Sequence, residues 1–100
     1  MTDEIKAITI QALENAETGQ YNDDPIFNTH GMVTDKISNL EKAFKANQLD
    51  LSQWKNKKIV LSAVNDFYND VREMALPSSD GKYNFKLKKL RAAKEYYEYL

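Results

Sequence analysis

Asp66, Asp70 and Glu73 stand four and three residues apart, with Asn65 and Asn69 beside them. On a helix that spacing places the three carboxyls along one face. Paired carboxylates can bind a hard cation or divide the roles of acid and base. The same spacing also makes an ordinary solvated face. No calcium-loop pattern surrounds these residues, and Asn22-Asp23-Asp24-Pro25 does not form one either. We read the three as solvated and expect no metal site. His30 is the single histidine, set in an otherwise apolar slot. It fits a pH-sensitive group or a ligand, or, as we read it, a boundary ring whose nitrogens meet the backbone. One histidine without cysteine cannot make an ordinary zinc set. A di-metal carboxylate bundle would need Glu-x-x-His on two helices. No G-x-S-x-G, P-loop or G-x-G-x-x-G occurs. The expectation is therefore no catalytic residue, no cofactor and no enzymatic activity.

A second constellation favours binding. At a helical turn of about 100° per residue, Phe85, Lys88, Ala92, Tyr96 and Tyr99 project away from Leu87, Leu90 and Tyr97. Lys89 and Arg91 border this outer stripe. Aromatic and Arg side chains contribute disproportionately to contact energy, so the seven form a candidate partner-binding face. The competing reading has Phe85 and some tyrosines covering the bundle edge, with lysine stems along apolar surface.

The charge distribution bears on this face. Residues 1–50 hold nine acids and four bases, whereas residues 51–100 hold six acids and ten bases. Residues 82–94 carry five lysines and one arginine without an acid. An acidic half packed beside a basic half explains the asymmetry. So does a basic surface presented to an acidic partner, a phosphate backbone or anionic lipid. DNA binding is possible but not favoured. Residues 77–83 are too long for the turn of a helix-turn-helix, and the chain is slightly acidic overall.

Four helices are expected to position these residues. The first spans 3–18, with Thr2 as cap and Gly19 as stop. Ile5, Ile8, Ala12 and Ala16 share its face with Leu13 beside them, and Ile10 falls outside it. Asp24-Pro25 reads as the start of the second, whose apolar slots are Ile26, His30, Val33, Ile37, Leu40 and Phe44. Gly31 interrupts that pattern, and a loop through Gly31 with a start at Thr34 is the alternative. For the third, Asp50 reads as cap and Gln53 as its capping-box partner, with Leu49 and Trp54 as a hydrophobic staple. Trp54, Leu61, Tyr68 and Ala75 form the centre of its stripe, flanked by Val64 and Val71 and by Val60, Phe67 and Met74. Its width calls for at least two neighbours. The helix ends near Leu76 because Pro77 cannot continue it. Residues 77–81 form a loop. Asn84 caps a fourth helix whose buried face is Leu87, Leu90, Ala93, Tyr97 and Leu100.

One hundred residues with no cysteine make one domain, 1–100, with enough core to fold without staples. Nothing alternates at strand period. The fold class expected is all-α, an antiparallel four-helix bundle. Asp3 and Glu4 stand where a signal peptide would be basic, and no apolar run reaches a membrane span. A soluble cytoplasmic protein is expected.

Ile59-Val60-Leu61-Ser62 with Asn65, a polar Gly-containing loop, and then Leu87-Lys88-Lys89-Leu90 are similar to the last two helices of some class IIa bacteriocin immunity proteins. The likeness covers roughly a third of the chain and contains no diagnostic motif. It implies a bacterial, cytosolic antiparallel bundle that protects a bacteriocin producer, its C-terminal half setting specificity, here residues 77–100. The chain departs from the family in being slightly acidic where many members are basic, and residues 20–34 have no counterpart. The functional expectation is non-enzymatic binding of a protein partner. The alternatives are a nucleic-acid-associated or phage-type regulator and a self-associating structural subunit.

Overall fold

The computed structural model describes residues 1–27, 32–75 and 84–100. Their secondary structure is four helices: α1 (Asp3–Glu17), α2 (Met32–Lys45), α3 (Trp54–Ala75) and α4 (Asn84–Glu98). Among the described residues there is no strand, and the fold is an all-α bundle.

α1 begins as its sequence dictates. The Thr2 hydroxyl accepts the Ile5 amide at 3.2 Å, and Asp3 and Glu4 place negative charge in the first turn. The helix ends at Gly19, whose φ of 85° is the left-handed geometry glycine adopts freely. Gln20 N donates to the Asn15 carbonyl and Gly19 N to that of Ala16, the paired bonds of a Schellman stop. α2 ends the same way. Asn47 has φ of 58°, Gln48 N donates to Ala43 O, and Asn47 N donates to Phe44 O. Asn tolerates that geometry better than most non-glycine residues, and the sequence reading did not anticipate the motif.

Two helix starts differ from expectation. Asp24-Pro25 does not open α2. The Asp24 carboxylate accepts the Ile26 amide at 2.9 Å and its carbonyl accepts Phe27 N at 2.9 Å, so the pair closes a turn. That turn buries Phe27 and half-buries Ile26. α2 starts at Met32, two residues before the alternative start at Thr34, and buries Ile37, Leu40 and Phe44. His30 and the loop at 77–81 lie outside the described residues.

Asp50 likewise serves a turn. Its Oδ1 accepts both the Ser52 amide and the Ser52 hydroxyl, while its carbonyl accepts Gln53 N and Asn56 Nδ2. α3 therefore starts at Trp54, with the Gln53 carbonyl taking the first helical bond from Lys57. Trp54 is 67 % exposed and forms no staple. The buried face of α3 is Val60, Ala63, Val64, Tyr68 and Val71, whereas Trp54 and Met74, at the two ends of the helix, are both exposed. Leu61 and Phe67 are half-buried. On α4, Leu90, Ala93 and Tyr97 are buried and Leu87 half-buried, but Leu100 is exposed because it lies past the last helical turn.

Packing is organised around α1. It packs against α2, α3 and α4, and α3 also packs against α4. Lys57 Nζ donates to the Leu100 carbonyl and Arg91 to the Tyr68 hydroxyl, so α3 and α4 run in opposite directions. The small Ala12 and Ala16, with Leu13, let α1 sit inside a core completed by Phe44, Val60, Val64 and Tyr97. Thr9 is the buried polar residue the α1 face reading omitted. Its hydroxyl donates to the Ile5 carbonyl at 2.7 Å, which satisfies it locally.

Candidate functional site

The seven residues of the outer stripe on α4 do not form one surface. Phe85, Lys88, Arg91, Ala92 and Tyr99 are exposed, Phe85 to 69 % and Tyr99 to 87 %. Lys89 and Tyr96 are half-buried. Tyr96 packs against the core, its ring edge-on to Tyr97 with centroids 5.1 Å apart. Arg91 turns toward α3, where Nη2 donates to the Tyr68 hydroxyl at 3.1 Å. That bond, with the nearby guanidinium charge, holds the Tyr68 phenol below its ordinary pKa. Fourteen residues of helix separate Phe85 from Tyr99, roughly 20 Å at 1.5 Å per residue.

The first half of the stripe forms a groove with α1. Phe85, Lys88, Lys89 and Ala92 face Thr2, Glu4 and Ile5 across a space of about 450 Å³. The Lys89 ammonium lies 3.0 Å from Glu4 Oε1 and 4.4 Å from the centre of the Phe85 ring. Glu4 thus draws Lys89 into the groove wall, and the lysine covers one face of Phe85. Lys88 makes no ion pair among the described residues. The groove offers an aromatic edge, a free ammonium and a short apolar floor of Ala92 and Ile5. Sequence reasoning missed the α1 side. Its signal was Thr2-Asp3-Glu4-Ile5, read only as a helix start.

The carboxylates on α3 separate. Glu73 is exposed, Asp70 accepts from Gln20 Nε2 at 2.9 Å, and Asp66 points inward. Asp66 Oδ2 is buried without a partner. Burial, then the hydrogen bond and charge of Asp24, push Asp66 up to about 7. The expected solvated row is therefore corrected at Asp66. The turn at 21–27 brings Asp24 against it.

A second acid pair went unseen in the sequence. Glu17 meets Glu41, whose residue is 6 % exposed. Burial, then the hydrogen bond to Glu41, push Glu17 up to about 7. Burial opposes the Glu41 charge as well. The Glu17 hydrogen bond and the Lys45 ammonium, 2.8 Å away, outweigh it and keep its pKa low. These pairs join elements and form no cation cage. Among the described residues, no group of three or more His, Asp or Glu is placed to hold a metal ion.

No protein-family model, curated protein or solved structure matches this chain. No described helix is long and apolar enough to cross a membrane.

Proposed function

We propose that the protein is a non-enzymatic, cytoplasmic binding module whose groove between the start of α1 and the first half of α4 receives a protein partner. The observation that carries this reading is Phe85, largely exposed at the rim of a groove floored by Ile5 and Ala92 and flanked by Lys88, which forms no ion pair among the described residues. A large aromatic held open to water beside an apolar floor is an anchor that gains most when a partner covers it. The free ammonium favours an acidic residue next to the partner's apolar contact. Bacteriocin immunity in a bacterial producer is the concrete version suggested by the resemblance of the last two helices.

The test is capture from the native host with wild type beside a Phe85→Ala/Lys88→Glu variant. Both positions are exposed, so the variant keeps the core intact. Tyr96 is left untouched because its ring packs on the core. A protein retained by wild type and lost from the variant supports the reading, and equal retention refutes it. Sedimentation at several concentrations identifies self-association. Affinity for DNA that collapses with salt identifies nucleic-acid binding.

A further inference from the structure

Three other exposed apolar side chains, Trp54, Tyr99 and Leu100, lie at the opposite end of α4, whereas Met74 stands at the far end of α3. Trp54 opens α3, and Tyr99 and Leu100 follow the last turn of α4, with Leu100 half exposed. Lys57 Nζ donates to the Leu100 carbonyl at 3.3 Å, so the start of α3 and the end of α4 form one surface. The ammonium groups of Lys55 and Lys58 each lie 5.9 Å from the centre of the Trp54 ring. Neither takes part in an ion pair among the described residues. The nearby acids are occupied or turned elsewhere. Asp50 is engaged by Ser52, Glu98 lies 3.8 Å from Lys94, and Glu95 bears on Arg91.

We infer that this end of the bundle docks on the surface of an anionic lipid bilayer. Trp and Tyr are the residues that settle at the level of lipid headgroups, with an apolar body below and a polar edge in water. Lys55 and Lys58 flank Trp54 with ammonium groups on long stems, which can reach outward to phosphates while the ring enters the interface. The projecting side chains favour a membrane over a polypeptide. A groove at this end, between Met1, Phe44, Asn47, Leu49 and Leu51, holds about 150 Å³, and another, lined by Leu61, Ser62, Asn65, Lys94 and Glu98, holds about 360 Å³. Neither is lined by Trp54, Tyr99 or Leu100, which stand outside both. A bilayer needs only a projecting aromatic and flanking positive charge. The inference does not depend on the groove at Phe85, which lies at the other end of α4.

Trp54 is the only tryptophan, so its fluorescence reports this surface alone. The full chain is titrated with vesicles of phosphatidylcholine containing about 30 % phosphatidylglycerol, and with phosphatidylcholine alone. The expected result is a blue-shifted Trp54 emission and co-sedimentation with the anionic vesicles, weakened by salt. Lys55→Glu/Lys58→Glu, with unchanged helical circular dichroism, should lower that partitioning by about tenfold or more. Trp54→Phe, followed by co-sedimentation, should lower it as well. Phe85→Ala should leave it unchanged. No shift at millimolar anionic lipid, or equal binding to both vesicle types, overturns the inference. A shift with polyglutamate but not with vesicles also overturns it, and assigns the surface to an acidic protein.

Discussion

The Thr9 hydroxyl and the Tyr97 phenol lie 2.7 Å apart in the fully buried centre of the bundle, joining α1 to α4 across 88 residues of sequence. Thr9 already donates to the Ile5 carbonyl, so Tyr97 is the donor in this pair. Burial pushes the Tyr97 phenol up to about 12.

Breaking this bond from either side tests its direction. Tyr97→Phe leaves Thr9 with its Ile5 bond and should cost about 1 kcal/mol. Thr9→Val strands the buried Tyr97 donor and should cost about 1–3 kcal/mol. The double variant should cost less than the sum of the two, because the stranded donor is gone. Urea denaturation of the four proteins closes the cycle. Additive losses would mean that the two groups are not coupled.

The exposure of Trp54 at the start of α3 makes a second prediction. Trp54→Ala should change stability by less than about 0.5 kcal/mol, as exposed positions do. Leu90→Ala should cost about 2–5 kcal/mol, because its side chain lies between Tyr68 and Val71. Comparable losses at both would restore Trp54 to the core.

The two acid pairs set a pH dependence. Glu17 and Asp66 both titrate near 7 in the folded chain, above the 4.5 and 3.8 of the free groups. The folded state therefore holds more protons than the unfolded one between those values, and stability falls as pH rises from about 4 toward 8. Glu17→Gln and Asp66→Asn replace the costly charge with a neutral group of similar shape. Each should flatten that fall and raise Tm at pH 8 by about 4–8 °C, the equivalent of about 1 kcal/mol in a domain this size. Thermal melts across pH check it. A wild-type Tm that climbs between pH 5 and 8 would contradict the pairing.

The two Schellman stops respond unequally to substitution. Gly19→Ala places a Cβ 3.2 Å from the Asn22 amide at a positive φ and should cost about 1 kcal/mol or more. Asn47→Gly relieves the strain of its left-handed backbone. It also removes the acceptor of the Lys6 ammonium, an exposed bond of little weight. Its net change should stay within about 0.5 kcal/mol. Denaturant midpoints separate the two.

The helices were legible in the sequence because apolar spacing and the Thr2 and Gly19 caps act locally. The starts of α2 and α3 were not. Asp24 and Asp50 carry the same cap signature whether the carboxylate binds a helix amide or closes a turn two residues on. Trp54 reads as core from its seven-residue spacing with Leu61 and Tyr68 and from the staple with Leu49, but it is the first residue of α3 and stands exposed there. The α4 stripe was readable as a face, but not its division into a groove and an end. That division depends on Glu4 of α1, 85 positions before the Lys89 it holds. The acid pairs were invisible for the same reason, since Glu17 and Asp66 acquire their character from burial in the folded bundle and then from Glu41 and Asp24.

Hydrogen–deuterium exchange of the protein alone and with its captured partner tests the proposed groove most directly. First-turn amides of a helix have no intrahelical acceptor, so Asp3 and Glu4 should exchange quickly in the free chain, with Ile5 slowed only by its exposed bond to the Thr2 hydroxyl. The partner should slow exchange there and across 85–92, and leave the buried face of α3 unchanged. Protection confined to other elements, with 3–5 and 85–92 unaffected, would contradict the assignment of the groove.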